Sequence, residues 1–321
     1  MDGPRLLALV GPTASGKTEA SLPIAHALEA EILCVDSMLV YRGMDVGTAK
    51  PTRADRTRVP HHLLDLAEPT ESFSVARFQA VAHAAVDDVV RRGRRPLLVG
   101  GSGLYFRAVV DELRFPGMEP AVRGLLEAEA VVLGPEALHR RLASFDPEAA
   151  SAIQPSNGRR VVRALEVAAI TGRPFSSHRV PLHAFRTPVR VAGVEPPRPV
   201  LHRRIEQRVS GMLPGLLDET ARLVERGFGG FLTSSQAIGY AEAMAVLDGR
   251  VSEAEAVERT VRRTKTLARR QLSWFRRDPR VRWFEVGEEG ALGRVDDLLA
   301  FLRDESAGGS GGEARTRTVE A

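Results

Sequence analysis

The sequence predicts an α/β fold in which a parallel sheet is flanked by helices and a helical subdomain is inserted into the chain. Three observations predict this fold. Short apolar runs alternate with helical patterns as far as Gly101, which is typical of a parallel sheet covered on both faces. A glycine-rich loop follows the first of these runs, and the strand pattern disappears between residues 117 and 187.

The predicted strands of the first part of the chain are three short apolar runs. They are LLALV at 6–10, EILCVD at 31–36 and PLLVGG at 96–101. Runs of about four to eight apolar residues bounded by turn-forming residues fit buried strands. A helical pattern precedes the third run; its expected cap residue is Ser74, and the pattern stops at Arg91-Arg92-Gly93.

The chain is predicted to leave this core and to return to it. We expect a first part of the core at 1–116, an inserted helical subdomain at 117–187, a second part with basic C-terminal helices at 188–304, and a disordered tail at 305–321. The insert contains three helical patterns, AVRGLLEAEA, EALHRRLASF and NGRRVVRALEVAAITG. The run PVRVAGVEPP then predicts a strand whose prolines mark its edges. The tail has almost nothing apolar that could offset the entropy cost of ordering.

Composition restricts the class of protein only loosely. The 45 Lys and Arg residues against 41 Asp and Glu residues give a net charge of +4, which is weak support for a polyanionic partner. The charge is unevenly placed, since residues 259–282 hold ten basic residues and a single acidic one. We expect no membrane span, because no apolar run reaches about 18 residues. We expect a cytoplasmic monomer in which the single cysteine, Cys34, is a buried free thiol.

The loop at 11–18 carries the strongest chemical signal. It matches G-x-x-x-x-G-K-[ST] in full, and its position between a strand and a helix predicts a core of the P-loop NTPase type. The phosphate-binding residues are Gly11, Pro12, Thr13, Ala14, Ser15, Gly16, Lys17 and Thr18. Loop N–H groups would surround an anion, Lys17 would add an ammonium group, and Thr18 could hold Mg²⁺. The motif identifies a phosphate ligand and leaves open whether ATP binds there.

Asp36 ends the second predicted strand, at the carboxyl edge of the sheet where open α/β folds bind ligands. Three roles are compatible with this position. The carboxylate could act as a general base, it could bind magnesium as in a Walker-B strand, or it could cap the following turn. The spacing of the residues alone does not choose between these roles.

Several blocks of the sequence resemble the bacterial tRNA dimethylallyltransferases. Besides GPTASGKT they are VDSMLVYRGMDVGTAKP at 35–51, PHHLLD at 60–65, LLVGGSGLYF at 97–106, RRVVRALEV at 159–167, LHRRIEQRV at 201–209, AIGYAEA at 237–243 and ARRQLSWFR at 268–276. The resemblance extends from Leu6 to about Phe284 and leaves out the tail.

This resemblance implies a reaction in which dimethylallyl diphosphate gives its dimethylallyl group to the exocyclic amine of the adenine 3′-adjacent to the tRNA anticodon. The glycine loop would then hold the departing diphosphate with a magnesium ion at Thr18. Lys17 and Arg208 would add positive charge, and Asp36 would accept the proton of the amine. Such an assignment suits the physics, because charge accumulates on the diphosphate in the transition state.

The resemblance also implies contacts with the tRNA anticodon stem-loop. The residues concerned are Asp36, Ser37, Met38, Leu39, Ser102, Arg123, Arg159, Arg160, Arg163 and Arg269. Ser102 stands where family members usually carry threonine, so the hydroxyl is kept and the methyl group is lost. Arginines also recur every seven residues in two stripes of one predicted helix, at 262, 269 and 276 and at 263, 270 and 277. A solvated basic face would produce the same pattern.

Three other functions remain compatible with parts of the sequence. A P-loop kinase or NTPase would use Lys17 and Thr18 on a triphosphate and Asp36 on magnesium, and it would turn over ATP. An RNA-binding protein that has lost catalysis would not need both GPTASGKT and DSMLVY. An isopentenyltransferase acting on free adenine nucleotides would have little use for a basic helical insert.

Overall fold

The computed structural model describes residues 6–178, 180, 186–229 and 233–303. The chain divides into two compact units. One consists of Met1–Asp111 and Phe185–Ala321 and is called the core unit here; the other, Glu112–Ala184, is called the insert. The insert was expected at 117–187, and the tail expected at 305–321 lies outside the described residues.

A six-stranded parallel sheet forms the centre of the core unit. Its strands are β1 (Leu6–Val10), β2 (Ala30–Cys34), β3 (His61–His62), β4 (Arg95–Gly100), β5 (Val189–Glu195) and β6 (Val281–Glu285). Their order across the sheet is β3-β2-β4-β1-β5-β6. Since β1, β2 and β4 lie near the middle and run in one direction, the segments that follow them emerge at the same edge.

Twelve α-helices are present in the part of the chain that the structure describes. They are α1 (Lys17–Ala27), α2 (Arg53–Arg58), α3 (Val75–Arg91), α4 (Gly103–Val110), α5 (Pro120–Leu133), α6 (Pro135–Phe145), α7 (Pro147–Ala152), α8 (Gly158–Thr171), α9 (Arg198–Glu225), α10 (Tyr240–Leu247), α11 (Glu253–Phe275) and α12 (Val295–Arg303). Helices α5 to α8 make up the insert. None of the described helices is both long enough and apolar enough to cross a membrane.

The predicted α/β class and the main early elements are confirmed. Strand β1 has the predicted bounds, and α3 begins after Ser74, whose hydroxyl oxygen accepts a hydrogen bond from the N–H of Arg77. Cys34 is buried and free, as expected. Burial raises the pKa of its thiol to about 12. The thiol therefore stays protonated, which makes it a poor nucleophile, and Cys34 packs in the apolar core.

Strand β2 is shorter than predicted. It ends at Cys34, although the N–H of Val35 still donates to the carbonyl of Val99 at 2.9 Å. Asp36 then turns the chain, because its Oδ1 accepts the N–H of Met38 at 2.8 Å. Asp36 therefore lies just beyond the end of the strand instead of on it, which is still at the carboxyl edge of the sheet.

Each unit has its own apolar core. In the core unit, strands β1, β2 and β4 pack with α1 and α12 through residues such as Leu9, Ile24, Leu97 and Leu298, all nearly inaccessible to solvent. In the insert, α5 to α8 enclose a separate cluster that includes Leu142, which is fully buried. A cluster of this kind is what a helical subdomain needs in order to pack as a unit.

Candidate active site

Three strand ends meet at one place on the sheet. The glycine loop (residues 11–18) follows β1, Asp36 follows β2, and Gly101 and Ser102 follow β4, which ends at Gly100 and lies between the other two strands. A Cβ atom at Gly100 would lie 2.2 Å from the carbonyl oxygen of Val35. A Cβ atom at Gly101 would lie 2.4 Å from the side-chain nitrogen of Gln271. The glycine pair therefore allows the three segments to approach one another closely.

A cavity of about 670 Å³ opens where these segments meet. The glycine loop from Thr13 to Thr18, Asp36 and Gly101 contribute to its lining. Helix α9 adds Arg204 and Arg208, and helix α11 adds Gln271. All of these residues belong to the core unit, so the cavity is formed without the insert.

The glycine loop leads into α1 through a residue with positive φ. Gly16 precedes α1 with φ of +84°, in the left-handed region that favours glycine. Its Cβ would also lie 2.9 Å from the backbone nitrogen of Ala291, so a larger residue would be both strained and crowded. Helix α1 begins at Lys17, and the free N–H groups of its first turn favour negative charge at this point.

Lys17 is buried inside the loop, with 9% of its surface exposed. Its ammonium donates to the carbonyl of Pro12 at 2.5 Å and to the hydroxyl of Ser15 at 3.3 Å. Burial lowers the pKa of Lys17 to about 7, an effect that the nearby Asp36 carboxylate partly opposes and the Arg208 charge reinforces. A bound anion would favour the ammonium form of this side chain.

Arg208, expected from its place in LHRRIEQRV to add positive charge, lines the same cavity as Lys17. Its Nη2 donates to the hydroxyl of Thr13 at 2.8 Å. Its Nε is buried and has no hydrogen-bond partner among the described residues, and burial lowers the pKa of the guanidinium. A buried donor without an acceptor is rare in folded proteins, so the Nε of Arg208 points to a ligand oxygen as its missing partner.

Sequence reasoning missed several cavity residues, and Gln271 and Arg204 are the two of them whose side chains hydrogen-bond to the backbone of the glycine loop. Gln271 on α11 accepts the N–H of Thr13 with its Oε1 at 2.8 Å, and Arg204 on α9 donates from Nε to the carbonyl of Ala14 at 2.8 Å. A usable signal existed for Arg204, because it precedes Arg208 by one helical turn and therefore shares its helix face. Gln271 lies in the predicted basic helix, but only the packing of α11 over the glycine loop reveals its contact.

Asp36 caps a turn and lies in the cavity at the same time. Its Oδ1 accepts the N–H of Met38, so the turn-capping role is present in the structure. A carboxylate has a second oxygen with its own lone pairs, and capping therefore leaves the other two roles open. Ser37, Met38 and Leu39 follow as partly buried residues, and Leu39 contributes to the cavity lining. Ser102 is the partly buried residue before α4.

The oxygen ligands of the cavity fit a magnesium ion that is bound mainly through a substrate. Thr18 and Asp36 both line the cavity. The described residues contain no cluster of three or more His, Cys, Asp or Glu side chains that could hold a metal. Magnesium commonly takes one or two protein oxygens together with substrate phosphate oxygens and water, so the donor set is adequate for such a site.

The predicted RNA-contacting arginines fall into two groups. Arg123 and Arg163 both pair with Glu166, which is fully buried, at 2.6 Å and 2.8 Å. These two side chains therefore hold the insert together, and contact with RNA stays a prediction for them. Arg159 and Arg160 in the insert and Arg269 on α11 are exposed.

The two arginine stripes of α11 are also divided by their partners. Arg263 pairs with Glu242, and Arg276 pairs with Glu195. Arg269 and Arg270 are exposed on the middle part of the helix. At these two positions, and at the exposed Arg262 and Arg277, a phosphate could be reached without breaking either of those ion pairs.

Comparison with known proteins places the chain in a family. The model of the IPP transferase family matches residues 39–278. A tRNA dimethylallyltransferase of Kineococcus radiotolerans is 54% identical over 285 residues, which cover 87% of this chain and 90% of the relative. One from Thermobifida fusca is 53% identical over 305 residues, covering 93% and 95%.

A solved structure agrees with these sequence matches. The crystal structure of the tRNA isopentenylpyrophosphate transferase from Bacillus halodurans superposes with a TM-score of 0.67 at 42% sequence identity, covering 92% of this chain and 95% of that one. The sequence matches and the shared architecture lead to the same assignment. The chain belongs to the IPP transferase family.

Proposed function

We propose that the protein is a tRNA dimethylallyltransferase. It transfers a dimethylallyl group from dimethylallyl diphosphate to the exocyclic N6 amine of the adenine 3′-adjacent to the anticodon, in tRNAs that read codons beginning with U. The products are isopentenyladenosine and diphosphate. The name shared by the relatives supports the reaction class. We propose further that it works as a cytoplasmic monomer, as expected from the sequence.

One observation carries this proposal: a cradle for a polyanion and a carboxylate line the same cavity. Lys17 and Arg208 supply two buried basic groups, which a bound polyanion would keep in their charged forms, and Arg208 still has a buried donor to offer. Asp36 is near enough to Lys17 to influence its pKa. Unless a metal ion lies between them, a carboxylate repels a bound phosphate, so a base that accepts a proton from the second substrate gives Asp36 a use in this cavity.

Each of these groups has a separate role in the transfer reaction. The bond between C1 of the allyl group and the bridging oxygen breaks, and its electron pair leaves with the diphosphate. A new bond forms between that carbon and the adenine N6, whose proton passes to Asp36. Lys17, Arg208 and the loop N–H groups stabilise the charge that develops on the leaving group. When bound, a magnesium ion at the Thr18 hydroxyl would supply further neutralisation of that charge.

The cavity also offers a surface for the five-carbon chain. Apolar side chains contribute to its lining, among them Leu22, Ile32, Leu39 and Val99. A dimethylallyl group placed against them would be shielded from water, which strengthens the electrostatic interactions around the diphosphate. This apolar lining supports an allylic donor over a nucleoside triphosphate.

The tRNA would be held by exposed basic residues. Arg159 and Arg160 of the insert and Arg269 of α11 are suited to phosphate contacts because they are exposed. The target adenine must leave its stack to present N6 to Asp36, which costs less in a single-stranded loop than in a duplex.

The test is a transfer assay on the purified protein. It is incubated with magnesium, dimethylallyl diphosphate and unmodified tRNA, and the nucleosides are weighed by mass spectrometry after digestion. We expect adenosine to gain one dimethylallyl group in place of a hydrogen. The matched variant is Asp36→Asn, because asparagine keeps the oxygen that accepts the Met38 N–H and loses the basic carboxylate. Transfer should fall by about 10²–10⁴-fold, while pyrophosphate still binds.

Other outcomes would contradict the proposal. ATP hydrolysis with unchanged nucleosides would indicate the kinase or NTPase class. Transfer to free adenine nucleotides with none to tRNA would indicate the smaller-substrate enzyme. Full transfer by Asp36→Asn would show that Asp36 is not the base and that its role is to cap the turn.

A further inference from the structure

Glu219 on α9 is a buried carboxylate that holds a backbone loop. Only 5% of its surface is exposed. Its Oε2 accepts the N–H groups of Asp45 and Val46, each at 2.9 Å, and its Oε1 accepts the N–H of Gly47 at 3.3 Å. A carboxylate that is removed from water is stable only when hydrogen-bond donors replace the lost water. The backbone N–H groups of Asp45, Val46 and Gly47 are such donors.

Tyr240 at the start of α10 completes the arrangement. It is fully buried, and its hydroxyl donates to Oε1 of Glu219 at 2.5 Å. Its ring lies against Gly47, where a Cβ atom would come within 2.4 Å of the ring. Burial raises the pKa of the Tyr240 hydroxyl, so this group stays protonated and continues to donate.

The other end of the same loop is held by a buried lysine. The ammonium of Lys50 contacts the carboxylates of Asp45 at 2.6 Å and Asp65 at 2.8 Å, and it donates to the carbonyl of Tyr41 at 2.6 Å. Residues 48–51 face the ligand site, since Thr48, Ala49, Lys50 and Pro51 line the cavity. The segment 45–51 is therefore a cavity wall fixed at both ends.

We propose that Glu219, together with Tyr240, is a positioning residue for the transfer reaction. Among the described residues, its hydrogen bonds go to residues 45–47 and Tyr240 and not to the glycine loop or Asp36. It acts through the segment 45–51, whose backbone it holds against the cavity. This role rests on the proposed function. A wall held in one conformation keeps the allylic carbon in line with the adenine N6, and small misplacements of reacting groups cost large factors in rate.

The role predicts a specific split between rate and binding. In Glu219→Gln one of the two acceptor oxygens becomes an N–H₂ group that faces backbone donors, so part of the attachment is lost. We expect kcat for tRNA prenylation to fall by about tenfold or more. KM for tRNA and the Kd of inorganic pyrophosphate should stay unchanged, because the glycine loop and the exposed arginines are built from other segments.

The matched control is Asp218→Asn, which makes the same chemical change at the neighbouring exposed position of α9 and should leave kcat unchanged. Rates are expressed per pyrophosphate-binding site, so that loss of folded protein alone does not lower them. Tyr240→Phe removes one hydrogen bond and keeps the ring, and it should lower kcat by about threefold. If Glu219→Gln does not fold, the kcat of Tyr240→Phe tests the positioning role in its place.

A kcat in Glu219→Gln equal to that of the unsubstituted protein would overturn the positioning role. So would a loss that appears only as weaker tRNA or pyrophosphate binding. Absence of transfer by the unsubstituted protein is a separate outcome, since it would refute the proposed function itself.

Discussion

At the scale of the residue, the site is defined by two buried basic side chains, Lys17 and Arg208, that form no ion pair with a carboxylate among the described residues. Lys17 turns to the carbonyl of Pro12 and the hydroxyl of Ser15, and Arg208 keeps a buried Nε–H without an acceptor among the described residues. Burial disfavours the charged form of both side chains. Such an arrangement costs free energy that an anionic ligand would offset.

The lowered pKa of Lys17 predicts proton uptake when pyrophosphate binds. With a pKa of about 7 in the free site, Lys17 is mostly neutral at pH 8. A bound polyanion favours the ammonium form and raises this pKa, so binding at pH 8 should take up about one proton at Lys17. Isothermal titration calorimetry in buffers of different ionisation enthalpy measures this uptake.

The control for this experiment is Lys17→Arg, which keeps a permanent positive charge. Its proton balance reports only the titration of pyrophosphate and of other groups, so the difference between the two proteins isolates Lys17. Equal proton uptake by both proteins would contradict the lowered pKa.

At the scale of the element, the spacing of residues along α9 and α11 places polar side chains of both helices at the glycine loop. Arg204 and Arg208 stand one turn apart on α9 and contact the glycine loop at Ala14 and Thr13. Helix α11 brings Gln271 to the same loop. The two helices pack through an apolar cluster that includes Ile205 and Ala268, so the spacing of apolar residues determines where the polar ones lie.

Helix α11 begins with a capping box that should contribute measurably to stability. The hydroxyl of Ser252 accepts the N–H of Glu255, and the Glu255 carboxylate accepts the N–H of Ser252. Ser252→Ala should lower the free energy of unfolding by about 1 kcal/mol, because a first-turn N–H loses its acceptor.

Chemical denaturation measures this loss, and Ser273→Ala is the matched control. Ser273 is exposed inside the same helix, where alanine is the better helix former, so this change should be neutral or slightly stabilising. If the capping box does not contribute to stability, Ser252→Ala and Ser273→Ala will have the same free energy of unfolding.

At the scale of the whole molecule, each of the two units has an apolar core of its own, and the cavity at the glycine loop belongs to the core unit. The cavity residues all lie in the core unit. The insert has its own apolar cluster and its own buried ion cluster around Glu166. Diphosphate binding should therefore be insensitive to changes inside the insert core.

Leu142→Ala tests this separation. Leu142 is fully buried in the insert, and its truncation should destabilise that unit by about 2–5 kcal/mol through lost contacts and a cavity. Amide hydrogen exchange should become faster within Glu112–Ala184, while the Kd of pyrophosphate stays the same. Leu133→Ala in the same unit is the control, since that side chain is 57% exposed. Weaker pyrophosphate binding in Leu142→Ala would show that the separation does not hold.

Elements with a local signal were predicted well, and those without one were missed. The glycine loop, β1, α3 with its cap Ser74, and β5 follow from motifs and periodicity that lie within a few consecutive residues. Strand β6 was not predicted, because this edge strand of five residues carries charged side chains among its apolar ones. Helix α12 follows it and was also not identified.

The sequence by itself determined the α/β class and the glycine loop at 11–18, and it predicted that this loop binds phosphate and that Asp36 takes part in the reaction, since each depends on a short pattern of residues. Only the tertiary structure decided which distant groups join them. It brought Gln271 and Arg204 to the glycine loop, and it assigned Arg123 and Arg163 to Glu166. The physical reason is that hydrogen bonds and ion pairs form between groups close in space, and the packing of helices on a sheet sets those distances independently of separation along the chain.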